Sequence, residues 1–134
     1  MSTTNQRATQ LAVAAVLIDA AGAAVARRTS LVGEPFGIKL PVAVPAGVEL
    51  VAWGSATSAP VVMDVAAVYL ARRSLEDSRW AKAMIMLGLA RMVGVACEPA
   101  TWGRRHSRAA MAMAPCHVAL AASQVAAGIK ARRR

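Results

Sequence analysis

The sequence predicts an all-α integral membrane protein, a four-helix bundle, and three observations predict it. Of 134 residues, 57% are hydrophobic and 17% charged, with a mean hydropathy of +0.44, an apolar content beyond what a water-soluble domain of this size requires. The apolar residues are gathered into four blocks separated by short basic or Pro/Gly-containing segments. Most of the 16 Lys and Arg residues lie between those blocks rather than within them, which is where cations flank membrane spans. A chain of this length makes one domain, residues 1–134,.

The first block runs from about Leu11 to Ala26. It is short against the roughly 20 residues that cross a hydrocarbon core. With Arg7 before it and Ala24-Val25-Ala26 at its end it imitates a secretory signal, but Asp19 inside the apolar stretch argues for a first membrane helix instead,. The connection that follows contains Gly33, Pro35, Gly37, Pro41 and Pro45 and is predicted to be irregular,. The second block, 50–71, contains Pro60, which removes one backbone hydrogen bond and opens the helix near Asp64,. A polar hinge from Ser74 to Arg79 precedes the third block, 81–97, which Pro99 terminates,. The fourth, 109–129, has no formal charge when His117 is neutral and matches a bilayer span in length,.

A formal charge of +9 would elsewhere suggest nucleic acid,. Here the cations border apolar blocks, no nucleic-acid motif accompanies them, and only 4% of residues are aromatic, so base stacking has little to work with. The partner expected is the lipid bilayer. The distribution of Lys and Arg in short loops favours both termini on the cytoplasmic side of a bacterial inner membrane, the Ala- and Arg-rich composition fitting a high-GC genome,. Trp53, Tyr69, Trp80 and Trp102 stand near block ends as interfacial anchors, and Lys82 is placed to snorkel,. Cys97 and Cys116 form no CxxC motif and are expected as free thiols,. No Gly-rich phosphate loop, HExxH or GxSxG is present, and neither a metal nor a cofactor is expected,.

Each block nevertheless carries a strongly polar residue in its interior: Asp19, Asp64, Arg91 and His117. A charge at the centre of a membrane helix costs about 2.5–3.5 kcal/mol on insertion scales, so such residues face the bundle and find partners. Helical spacing puts Trp53 and Thr57 on the face of Asp64, Met84 and Glu98 on that of Arg91, and Met113 and Gln124 on that of His117,. In an alternating topology the four central residues come together as a polar cluster around Arg91.

Three readings of the cluster follow. In the first it is catalytic: Asp19 and Asp64 act as acid and base, Arg91 holds their ionisation states apart, and His117 assists proton transfer. Trp53, Thr57, Met84, Glu98, Met113 and Gln124 would then line the site of a lipophilic small molecule undergoing isomerisation, cyclisation or epoxide opening. In the second, a small transport or assembly protein uses the same groups as a proton or solute path, and a chain this short implies a homo-oligomer. In the third, the cluster is an ion pair that fixes helix register, the Met residues fill gaps and Gln124 joins helices. All three require membrane insertion. The protein is expected to resist extraction by high salt or carbonate and to need detergent; recovery as a detergent-free soluble monomer contradicts the class.

Overall fold

The computed structural model describes residues 3–29, 33–38, 54, 55, 57–73, 77–103 and 108–133. Within them the chain forms four α-helices: α1 (Thr3–Thr29), α2 (Val61–Arg73), α3 (Ser78–Cys97) and α4 (Arg108–Arg132). Two 3₁₀ turns, Pro35–Gly37 and Pro99–Trp102, complete the regular structure, and no strand occurs among the described residues, Ser55 and Ser58 making only an isolated bridge. Three segments are long and apolar enough to cross a membrane: Thr9–Thr29, Ser78–Cys97 and Arg108–Arg132.

The second block departs from its predicted form. Residues 54, 55 and 57–60 are not helical, and α2 begins only at Val61, giving 13 residues where a span from Leu50 was expected. Pro60 is the physical reason. It disfavours helical backbone at Ala59 and has no N–H to continue a helix arriving from its N-terminal side. It suits a helix start, and its carbonyl accepts from Met63 N–H at 2.8 Å,. Pro60 therefore opens α2 rather than kinking it. Pro115, by contrast, lies within α4, which continues through it. Of the expected irregular connection from Thr29 to Pro45, residues 30–32 and 39–45 lie outside the described residues, as do residues 50–53 of the second block.

The helices pack in cyclic order, α1 on α2, α2 on α3, α3 on α4 and α4 back on α1, with α3 and α4 sharing the most extensive contact. Small residues make that contact close. A Cβ on Gly88 would come within 2.9 Å of the Ala121 carbonyl oxygen, and one on Gly128 within 2.9 Å of the Ala81 carbonyl oxygen. Ala81 and Ala121 are themselves fully buried, so the backbones meet with almost no side chain between them. Ala12, Leu70, Ala71 and Met84 build an apolar core at the end of the molecule where α2 finishes. Val13, Leu17, Val62, Val65, Met86, Leu89, Val93 and Met111 stand exposed around the outside, the surface expected of helices facing lipid rather than water.

The ends of α3 are set locally. Asp77 is its N-cap, accepting from the Arg79 backbone N–H at 2.8 Å and from Arg79 Nε at 2.9 Å,. The side-chain hydrogen bond from Arg79, with the backbone bond beside it, holds the exposed Asp77 carboxyl below the usual carboxylate range. At the other end Glu98 is extended because Pro99 follows,. Gly103 closes the second 3₁₀ turn at φ 73°, a conformation glycine adopts without strain.

The α3–α4 contact predicts opposite effects for two glycines on one helix. Gly88→Ala is expected to destabilise the protein by about 1–3 kcal/mol through overpacking against backbone. Gly94→Ala, where a Cβ would meet nothing within 4 Å, is expected to stabilise by about 0.5–1 kcal/mol through helix propensity. Thermal melts in detergent check the difference, and equal shifts would contradict the close packing.

Candidate functional site

Arg91 lies in the second turn from the end of α3, on the same stripe as Ala81, Met84 and Gly88, all buried. That stripe directs its guanidinium inward, where it is 5% exposed. Nη1 donates to Asp19 Oδ2 of α1 at 2.7 Å, and Nη2 donates to Asp64 Oδ1 in the first turn of α2. Both carboxyl groups are buried and bound by the same guanidinium. His117 of α4 completes the group, with Nδ1 3.5 Å from Asp19 Oδ1.

The non-helical stretch before α2 forms the roof of this cluster. Ala59 N–H donates to Asp19 Oδ1 at 2.8 Å. The Thr57 hydroxyl donates to the Gly22 carbonyl at 2.6 Å, and His117 Nε2 lies 3.1 Å from the Thr57 carbonyl. Ser55 and Ser58 bond each other through both backbone and side chain. Gly22 lets this stretch lie directly on α1, because a Cβ there would collide with the Thr57 carbonyl. Irregular backbone at membrane depth is stable only where protein or a cavity satisfies it, and here Asp19, His117 and Gly22 do so.

The hydrogen-bond partners constrain the protons. The Thr57 carbonyl can only accept, so His117 Nε2 carries a proton and Nδ1 is turned to Asp19,. Two carboxyl groups face a single permanent cation, leaving the cluster one positive charge short of neutrality. In surroundings this dry that balance matters, since an uncompensated buried charge costs several kcal/mol.

Two openings flank the cluster. A cavity of about 110 Å³ has Arg91, His117, Thr57 and Glu98 in its wall together with Met63, Val95 and Ala114. A groove of about 540 Å³ between α1 and α2 has Asp19 and Asp64 in its wall among apolar side chains. Ser58 and Ala59 border both, so the cluster and the stretch above it form the partition between the two spaces.

The predicted central residues, Asp19, Asp64, Arg91 and His117, are thus brought together. Thr57 joins them from a turn rather than from the helical face expected of it. Glu98 borders the cavity and also accepts from Glu34 N–H at 3.0 Å and Ala100 N–H at 3.3 Å, holding both 3₁₀ turns near its rim. Met113 is half-buried opposite Gly22. Met84 lies in the apolar core two turns from Arg91, and Gln124 is 1% exposed with its amide unpartnered among the described residues; neither borders an opening. Trp53 lies outside the described residues. The Ala59 N–H and the Ser55–Ser58 turn were not anticipated. Only Pro60 signals the turn, and no side-chain pattern marks a backbone donor. Cys97 is half-buried and Cys116 exposed, both free, and no metal-ligand cluster of three His, Cys, Asp or Glu occurs among the described residues.

No family model, curated protein or solved structure matches this chain. Three apolar helices around a buried Asp/Arg cluster fit a small membrane protein.

Arg91 and Lys82 separate the buried charge from the surface one. Arg91→Leu leaves two buried carboxyl groups facing each other, whereas Lys82 is exposed and reaches water. Arg91→Leu is expected to destabilise by roughly 3 kcal/mol more than Lys82→Leu, read as a difference in thermal unfolding in detergent. Equal stabilities would remove Arg91 from the centre of the fold.

Proposed function

We propose that the protein is a small membrane enzyme performing acid–base chemistry on a lipophilic small molecule, by isomerisation, cyclisation or epoxide opening. The observation that carries this reading is the position of the two carboxyl groups. Asp19 and Asp64 are both held by Arg91 and both border an apolar groove. An ion pair needed only for register gains nothing from a groove alongside it.

The hydrogen bonds favour distinct roles. Asp19 accepts from Arg91 on one oxygen and from Ala59 N–H on the other, which suits it to the role of base. Asp64 accepts from Arg91 through one oxygen alone among the described hydrogen bonds, and we assign it the role of acid. Asp64 is then the acid that protonates an epoxide oxygen, carbonyl or alkene. Asp19 is the base that removes a proton from the opposite part of the substrate, and His117 returns protons between them. Arg91 stays charged throughout and lowers the cost of negative charge appearing beside it.

Asp→Asn substitution preserves size and hydrogen bonding while abolishing proton exchange. Asp64→Asn or Asp19→Asn is expected to leave expression and melting temperature nearly intact while lowering product formation by about 10² or more. The assay compares extracts of cells with and without the gene for an altered lipophilic metabolite. Full activity in a folded double Asn variant would overturn the catalytic role. A structural pair would instead lose stability, with residual activity following the amount of folded protein.

A further inference from the structure

The groove between α1 and α2 has a direction. Its α2 wall consists of Val61, Asp64, Val65, Val68, Tyr69 and Arg72, spaced i, i+3, i+4, i+7, i+8 and i+11, a single continuous stripe of the helix. Val16, Ala20 and Ala23 form the facing wall on α1. The carboxyl groups of Asp19 and Asp64 lie at one end of the stripe and the guanidinium of Arg72 at the other. Eight residues separate Asp64 from Arg72, about 12 Å along the helix axis, close to the depth of one leaflet of a roughly 30 Å hydrocarbon core.

Arg72 stands at the end suited to a membrane surface. It is exposed, and among the described residues it has no ion pair or hydrogen bond. Beside it Tyr69 packs edge-on against Trp80 with ring centroids 5.5 Å apart, and Arg73 lies over the Tyr69 ring at 5.7 Å. Aromatic and basic residues together mark the headgroup level of a bilayer. A molecule lying in this groove would have the orientation of a lipid in that leaflet, with a polar end at Arg72, an apolar body along the valines and its far end at the carboxyl groups. One guanidinium in the groove wall matches one carboxylate, which it binds through two parallel hydrogen bonds.

We infer that the groove is the binding site of a single-chain, fatty-acid-like carboxylate, whose carboxylate is held by Arg72 and whose distal carbons reach Asp19 and Asp64. This rests on the acid–base reading above and supplies its substrate class. The bond to be changed lies roughly 10 Å or more from the substrate's own charge.

The test uses the full-length protein in zwitterionic phosphatidylcholine nanodiscs and a long-chain fatty acid carrying a mid-chain diazirine. Photolabelling mapped by peptide mass spectrometry is expected to be saturable, to fall on α1 and α2 around Val16 and Val65, and to be competed by unlabelled fatty acid. Arg72→Gln is expected to lower labelling at subsaturating probe about tenfold, and Lys82→Gln to leave it unchanged. Val65→Trp, which fills the groove and keeps Arg72, is expected to abolish it. Unsaturable labelling, equal labelling of wild type and Arg72→Gln, or stronger competition by a phosphate-headed or alcohol-headed chain would overturn the assignment. The Asp19→Asn/Asp64→Asn protein separates the two readings. Saturable groove labelling with undiminished turnover in that variant removes the catalytic role and leaves the binding site standing. Turnover that depends on the aspartates without saturable labelling removes the binding site alone.

Discussion

The fold is organised around one guanidinium. Arg91 on α3 binds Asp19 on α1 and Asp64 on α2, joining three of the four helices through groups that none of them can bury alone. The fourth is tied in by His117, which faces Asp19 from α4. In an apolar medium each of these groups carries a large desolvation cost, and mutual pairing is what makes their burial tolerable. The pairing also defines the arrangement of the helices, because any rotation of α1 or α2 away from Arg91 exposes an uncompensated carboxyl group to hydrocarbon. Small residues assist the same end: Gly88 and Gly128 let α3 and α4 come together, and Gly22 lets the turn before α2 rest on α1.

The turn before α2 adds backbone partners to this ion pair. Had the second block been helical from Leu50, the backbone groups of residues 57–59 would have been spent within the helix. Pro60 frees them, and the Ala59 N–H and Thr57 carbonyl then take up specific partners on Asp19 and His117. The result is an asymmetric pair of carboxyl groups, Asp19 with donors on both oxygens and Asp64 with one. On the proposed acid–base reading, this asymmetry assigns the two carboxyl groups their different roles. It also leaves an opening on either side, the smaller cavity reaching Glu98 and the two 3₁₀ turns, the larger groove lying between apolar helix faces.

The outer surface is consistent with access from the bilayer. Val16, Val61 and Val65 border the groove and are themselves exposed, so a lipophilic molecule moving laterally meets apolar side chains all the way to the carboxyl groups. The polar partition of Ser58 and Ala59 then separates that path from the cavity bordered by Arg91 and His117. A site divided in this way keeps charged groups out of direct contact with hydrocarbon and places only the carboxyl groups on its edge.

The sequence by itself determined the helical class, the three long apolar segments and the identity of the central polar residues. Each follows from a local rule: an apolar run must leave water, and a charge within such a run must find a partner. Asp19, Asp64, Arg91 and His117 were legible because nothing else in their neighbourhoods is charged. The start of α2, the roles of Thr57 and Ala59, and the position of Met84 and Gln124 away from both openings were decided only by tertiary structure. Helical spacing assigns a residue to a face but does not say at what depth that face meets a cavity. Hydropathy also cannot distinguish an apolar helix from an apolar turn, since both satisfy the same transfer preference. The difference lies in where backbone N–H and C=O groups find partners, and those partners are on α1 and α4, 35 to 60 residues away in the chain.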